Sequence, residues 1–414
     1  MDMVQTKTLQ NGVRIIVKRM EGLLSVTMGV LVGTGAAFER DDEDGISHFI
    51  EHMQFKGTDK HNAFELSDAF DALGAQVNAF TGKDMTCYYA KTTSDHAEET
   101  FGLLAEMLLE ATFPEEEMKR EKGVVIEEIN MDEDSPEDLC LDLLSRAAFG
   151  NDSYGRNILG PQSNVEGFTR EQIFAYKEER YCPENMVISF AGNIDVSFAE
   201  ELAERAFGGL KPTQFTQRKK NVSLRCDNIF KRKPIEQAHF AFAFPTVERD
   251  NPSFSATQLM NSILGGGMSS RLFQKVREEM GLAYSVYSYL SAYEETGMLS
   301  VYAGVNPQKA TAAAEAVVSV INAFKSEGVT QDEFLRGREQ MRASNIFSQE
   351  NTSSQMLLYG KQMLYKNEIY DFEKRMDEIS ALTRDDIMNV IEGNLDFSRI
   401  AIASVGNLET KITL

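Results

Sequence analysis

Residues 45–57 read Gly45-Ile46-Ser47-His48-Phe49-Ile50-Glu51-His52-Met53-Gln54-Phe55-Lys56-Gly57, with apolar positions 46, 49, 50 and 53 at a helical period. Lys56-Gly57 supplies a basic last turn and a glycine stop, so the segment reads as a short helix. In a helix His48 and His52 lie one turn apart on one face, with Glu51 beside them. That is a two-imidazole metal site with an adjacent base. It needs a third ligand from elsewhere in the chain.

Two strands precede this helix, Val13 to Lys18 and Ser25 to Val32, and an acidic loop, Glu39 to Asp44, leads into it. A second helix follows from Asn62, capped with the help of Glu65 and buried along Leu66, Ala69, Phe70 and Leu73. Val77-Asn78-Ala79-Phe80-Thr81 and Met85 to Lys91 form a hairpin about Gly82-Lys83 that can offer an edge strand to an extended peptide. A helix from Asp95 to Ala111 comes next, and Pro114 opens another on which Glu121, Val125 and Glu128 share a face. Two carboxylates on a semi-apolar face are unusual decoration. Beyond the acidic tract Asp132 to Asp138, helices are predicted around 138–148 and 170–180, a strand at Met186 to Ala191 and a helix near Phe198 to Ala206.

The second half repeats the first. Thr169-Arg170-Glu171-Gln172-Ile173 recurs as Thr383-Arg384-Asp385-Asp386-Ile387 and Gly192-Asn193 as Gly406-Asn407, both at an offset of 214 (383 − 169 and 406 − 192). The fold class is therefore α+β, as two homologous domains of mostly antiparallel sheet packed with helices. The predicted boundaries are 1–213 for a metal-binding domain, 214–236 for a polar linker, and 237–414 for a duplicate whose only histidine is His239. In the duplicate the expected elements are a strand from Ala238 to Phe244, helices at Ser255 to Leu264 and Ser269 to Glu279, hairpin strands near Tyr284 to Ala292 and Met298 to Gly304, and long helices near 308–325 and 331–347.

The whole chain has 414 residues, 42% of them hydrophobic, in short periodic runs that never approach the ~20 apolar residues of a membrane-spanning helix. The start, Met1 to Thr8, lacks the basic head and apolar run of a secretory signal, and a cytoplasmic protein is the simplest expectation. Cys87, Cys140, Cys182 and Cys226 form no CxxC pair, which speaks against a thiolate metal knuckle or a disulfide framework. A net charge of −22 argues against nucleic acid as a partner and is compatible with basic ligands, as it is with plain solubility.

Zinc accepts imidazole and carboxylate, and a catalytic zinc takes three protein ligands and leaves a position for water. His48 and His52 supply two. Glu128, on the inward face of its helix, is the candidate third ligand, with a salt bridge as its alternative reading. Glu51 would take a proton from the water and deliver it to the leaving amine. His61 and His96 read as surface residues.

These residues resemble the insulinase and pitrilysin family of zinc peptidases, the inverted-zincin group whose motif is HxxEH. The resemblance covers essentially the whole chain and is strongest to the short branch that contains the mitochondrial processing peptidase beta subunit and bacterial processing-protease-like proteins. Gly45 to Met53 with Phe55-Lys56-Gly57-Thr58 matches the signature, as does Glu121 followed by Val124-Val125-Ile126-Glu127-Glu128-Ile129. The family's distal glutamate ligand falls on Glu128, 76 positions after His52 (128 − 52), and its supporting glutamate on Glu121. Asn78, Ala79, Phe80 and Thr81 look like the edge strand that pairs with substrate. Arg277 and Tyr284 look like the pair the family sets opposite the zinc to bind substrate and stabilise the oxyanion.

The resemblance implies a zinc endopeptidase acting on unstructured peptides in a closed chamber. One chain makes half of a clamshell, and a homodimer completes it. The glycine-rich loop of the processing peptidase alpha subunit is only hinted at by Gly265-Gly266-Gly267-Met268, which weakens presequence processing as the role. The alternative is a non-catalytic core or alpha-type subunit that binds peptides or organises an assembly.

Overall fold

The computed structural model describes residues 4–220, 222 and 224–413; Met1 to Met3, Asn221, Ser223 and Leu414, which touch the predicted chain start, linker and second domain, lie outside the described residues. Strands β1 (Val4–Thr8), β2 (Arg14–Arg19) and β3 (Ser25–Val32) are followed by α1 (Ile46–Gln54), α2 (Ala63–Ala72), β4 (Gln76–Thr81), β5 (Thr86–Thr93), α3 (Ala97–Leu109) and α4 (Glu115–Asp134). Next come α5 (Pro136–Phe149), α6 (Gln162–Gly167), α7 (Arg170–Arg180), β6 (Met186–Gly192) and α8 (Val196–Phe207). The remainder is β7 (Asn228–Arg232), β8 (Ala238–Thr246), α9 (Phe254–Gly265), β9 (Ala283–Ala292), β10 (Gly297–Val305), α10 (Ala310–Glu327), α11 (Gln331–Ser348), α12 (Thr352–Lys366), α13 (Phe372–Ala381), α14 (Arg384–Asn394) and β11 (Ala401–Gly406).

Two compact units result, each a mostly antiparallel sheet covered by helices. In the first the strand order is β1-β2-β6-β3-β5-β4, with only β2 and β6 parallel. In the second it is β7-β11-β8-β10-β9, with only β7 and β11 parallel. The order and pairing sense of five strands therefore recur. Thr169 and Thr383 both close capping boxes, at the starts of α7 and α14, and Gly192 and Gly406 end β6 and β11 at φ +140° and +148°. Arg19 stands opposite Gly192 and Arg232 opposite Gly406, so β7 is the counterpart of β2.

This corrects the predicted linker 214–236, which contains β7. Its alternating Lys231-Arg232 and half-buried Ile229 and Phe230 read as a polar connection because an edge strand carries its charges outward. The units are also discontinuous where the prediction was contiguous. Residues 130–156, including α5, belong to the second unit, and 346–371, including α12, to the first. Each amphipathic helix has an apolar stripe that fits either sheet, and chain order alone does not choose between them. A third difference lies at Phe273–Glu279, which winds as a π-helix inside the predicted helix Ser269 to Glu279.

Sheet one is buried on both faces. Val26, Met28, Val30 and Val32 of β3 pack with Ile46, Phe49, Ile50 and Met53 of α1. On the other face Ile16, Leu31 and Val187 meet Met356, Tyr359 and Met363 of α12. The helix comes close because Gly29 and Gly360 lack side chains: a Cβ at Gly29 would lie 2.5 Å from Met356 Sδ, and one at Gly360 2.6 Å from a Leu31 methyl. Burying each large apolar side chain contributes roughly 1.5–3 kcal/mol. No helix of the described residues is long and apolar enough to cross a membrane.

In the second unit Glu333 clamps the start of α11. Its carboxylate accepts from the Thr330 amide (2.8 Å) and, through both oxygens, from Arg271 (2.7 and 2.8 Å). Burial would raise the Glu333 pKa, but these hydrogen bonds and the Arg271 charge outweigh it and hold the group at about 2, below its ordinary 4.5. A depressed carboxylate stabilises the fold above its unfolded pKa and stops doing so as pH falls through the folded one. Glu333→Gln is expected to lower stability at pH 7 by about 1–3 kcal/mol. In urea unfolding the gap to wild type should close as pH falls from about 4.5 toward about 2; a gap of constant size across that range would contradict the assignment.

Candidate metal centre

The metal-helix α1 starts where Gly45, at φ +95°, turns the chain into it. A Cβ at Gly45 would lie 2.5 Å from the Leu159 carbonyl, so glycine is required both for the turn and for the space. The Glu39 carboxylate accepts from the Gly45 and Ser47 amides at 2.8 Å each and so satisfies two donors of the first turn. Burial pushes this carboxyl up to about 7 against those hydrogen bonds. Ser47 Oγ lies 2.9 Å from Tyr176 Oη, which lies 2.8 Å from Thr34 Oγ1, and the fully buried Arg180 donates to that same threonine. With Phe49, Ile50 and Met53 wholly buried, the imidazoles are fixed at the edge of the helix.

Glu128 of α4 meets them there. Its Oε2 is 3.7 Å from His48 Nε2 and 3.4 Å from His52 Nε2, and the three ligand atoms all lie within 4.8 Å of one another. Tetrahedral zinc with bonds of about 2.0–2.2 Å separates its ligand atoms by about 3.3–3.6 Å, so the donor set fits that ion in both chemistry and spacing. His52 Nδ1–H donates to Glu121 Oε1 at 2.8 Å, which leaves the lone pair on Nε2, the atom turned toward Glu128. Glu121 is buried and is held from its other oxygen by Lys56 Nζ at 2.8 Å.

The two imidazoles are shifted in opposite directions. Burial, followed by the neighbouring His52 charge, drives the His48 pKa down to about 3, so this imidazole is a neutral donor. His52 moves the other way, because the Glu121 hydrogen bond and the surrounding carboxylates outweigh burial. Burial would raise Glu121, but its bonds to His52 and Lys56 hold it below the ordinary carboxylate range. Glu51 is raised by burial, with the Thr81 hydroxyl, which donates to Oε2 at 2.5 Å, pulling the other way.

The predicted site residues thus fall into two groups. His48, Glu51, His52, Glu121 and Glu128 converge in the first unit, and Thr81 reaches the same place from β4. Asn78, Ala79, Phe80 and Thr81 do lie on an edge strand, since β4 is outermost in its sheet. Arg277 and Tyr284 belong to the second unit, where the guanidinium lies 4.7 Å from the Phe273 ring centroid and 5.5 Å from that of Tyr284, which is 75% exposed. His61, read as surface, is half-buried with its Nδ1 2.8 Å from Glu106. Sequence reasoning missed Glu39 and Lys56 as supports. Glu39 was read only as part of the acidic loop 39–44; its one usable signal was an acid shortly before a helix N-terminus.

Comparisons with known proteins identify the family and the fold. Residues 14–162 match the family model described as insulinase, peptidase family M16, and residues 167–341 match the peptidase M16 inactive domain. The second match lies wholly outside the His48–Glu128 cluster. The uncharacterized zinc protease YmxG of Bacillus subtilis is 38% identical over 98% of this chain and 100% of its own length. The uncharacterized zinc protease SCO5738 of Streptomyces coelicolor is 33% identical over 99% of this chain and 90% of its own. Two crystal structures share the fold at a TM-score of 0.92 and 21% identity: a protease from Helicobacter pylori, covering 98% of this chain and 99% of its own, and a peptidase M16 inactive domain from Pseudomonas fluorescens, covering 99% of each.

Because Glu121 sets the His52 tautomer, Glu121→Gln is expected to weaken zinc binding by about 10–100-fold, read by competition with a chelator. Glu116→Gln, on the exposed side of the same helix, should leave it unchanged. Wild-type affinity in Glu121→Gln would contradict the supporting role.

Proposed function

The chain belongs to the insulinase family, peptidase M16, and from that premise we propose that it is a zinc-dependent endopeptidase that cleaves unstructured peptides. The observation that carries this reading is the convergence of His48 Nε2, His52 Nε2 and Glu128 Oε2, with Glu51 alongside and in contact with the edge strand through Thr81. These three ligands would hold the ion. When bound, zinc supplies Lewis acidity and brings the pKa of a coordinated water to about 7.

The protein's own groups do the rest. Glu51, raised by burial toward the working pH, accepts a proton from the attacking water and returns it to the leaving amine. The Thr81 hydroxyl fixes which carboxylate oxygen is free to do so. Glu121 and Lys56 keep His52 turned toward the ion. The open edge of β4 offers its amides and carbonyls to a substrate strand, which selects extended chains over folded ones. The net charge of −22 favours basic peptides. A second copy of the chain closes the chamber, and its Arg277 and Tyr284 bind substrate and the oxyanion.

Incubating the protein with a peptide mixture, with and without chelator, and reading products by mass spectrometry tests the activity. Glu51→Gln is expected to keep its zinc and lose turnover by on the order of 10²–10⁴-fold; a variant that still cleaves at the wild-type rate would refute the base assignment. The composite site has its own test. His52→Ala and Arg277→Ala should each be inactive alone, but after mixing and exchange half the dimers are mixed and each holds one intact site, which returns about a quarter of wild-type turnover. No recovery despite subunit exchange would contradict a site shared between copies.

A further inference from the structure

A cavity of about 390 Å³ opens on the face of sheet one opposite the metal helix, between β4, β5 and the first turn of α12. Side chains of β4 alternate. Val77 and Ala79 pack into the core that holds α1 and Thr81 reaches Glu51, while Gln76, Asn78 and Phe80 line the cavity with Tyr89, Lys91 and Ser353, and Val77 also borders it. The cavity lies where α12, which packs mainly on β2, β6 and β3, draws away from the edge strands β5 and β4.

The internal repeat shows what a closed version of this place looks like. Counting along the ladders from Gly192 and Gly406, Tyr89 corresponds to Tyr302, and their cross-strand partners Asn78 and Tyr287 correspond in turn. On the covering helices, Ser189 Oγ donates to the Met356 carbonyl and Cys140 Sγ lies on the Ala403 carbonyl. Ser189 and Ala403 each lie three residues before those glycines, so Met356 matches Cys140 and, one turn earlier, Ser353 matches Glu137. In the second unit Tyr287 fills the space. Its hydroxyl donates to Glu137 at 2.6 Å, and its ring lies 5.0 Å from Tyr302 and 6.2 Å from Tyr289. In the first unit the corresponding pair is Asn78 and Ser353, too short to meet, and the aromatic walls Phe80 and Tyr89 remain.

We propose that this cradle is a subsite for an aromatic side chain of the peptide strand that pairs with β4, supplying from the substrate the ring that Tyr287 supplies from within the second unit. The proposal rests on the peptidase reading above. An added strand sends alternate side chains to opposite faces, so the residues entering the cradle alternate with those facing the metal. Asn78 lies three residues from Thr81, about 10 Å along the strand, which sets the preference a few residues from the scissile bond. Lys91 at the cavity makes arginine and lysine poor occupants, although the protein as a whole favours basic peptides.

The test uses an unstructured peptide that the protein cleaves at one bond, with each neighbouring position varied in turn among alanine, phenylalanine, tyrosine and arginine. One position, or two positions two residues apart, should prefer an aromatic over alanine by roughly tenfold to a hundredfold in kcat/KM, with arginine lowest. Ser353→Phe fills the cradle from the helix and should erase that preference, bringing kcat/KM for the aromatic peptides down to that for the all-alanine peptide. Leu357, which also lines the cavity, lies one turn further along α12, and Leu357→Trp should do the same, so that a folding defect in one variant, seen as a lowered urea midpoint, does not decide the matter. Absence of any aromatic preference, or a preference unaltered in a folded filled variant, overturns the subsite and leaves the peptidase standing. Failure of the wild-type zinc protein to cleave any unstructured peptide, those with aromatic residues included, overturns both.

Discussion

A nine-residue helix carries both imidazoles and the base, and such a helix is too short to hold itself together in water. Everything chemical about this protein depends on how α1 is pinned. Its apolar side is buried against β3, its first turn is tied to the Glu39 carboxylate, and His52 is tied to Glu121 on α4. Those three restraints act in different directions. Together they hold the helix so that both Nε2 atoms face Glu128.

The duplication explains why a chain with two such units has one metal cluster among its described residues. The sheets keep strand order, pairing sense, two glycines at strand ends and two threonine caps, all of which serve backbone geometry. Side chains on the sheet faces are free to diverge once that geometry is met. One unit has spent them on a metal cluster and an open cradle, whereas the other has filled its cradle with tyrosines and carries His239 hydrogen-bonded to Tyr302.

What was legible in the sequence was local. The period of 46, 49, 50 and 53, the Asn62–Glu65 capping box and the hairpin around Gly82-Lys83 all report contacts within a few residues, and the structure has each of them. Glu128 was legible because its helix face is shared with Val125 and Glu121. The exchange of α5 and α12 between units was not, since an apolar stripe does not specify its sheet. Strand β7 was hidden by its charges, although the offset between repeats applied to β2 would have found it. Lys56 and Glu39 act through tertiary neighbours that no spacing rule connects, and the cradle appears only when two registers are compared.

Anomalous diffraction at the zinc absorption edge, from crystals of the zinc-loaded protein, tests the central claim most directly. The account requires one strong peak per chain, bonded to His48 Nε2, His52 Nε2 and a Glu128 oxygen, with a fourth position open on the Glu51 side. No peak there, or an ion bound instead by Glu121 or by His61 and Glu106, would contradict it.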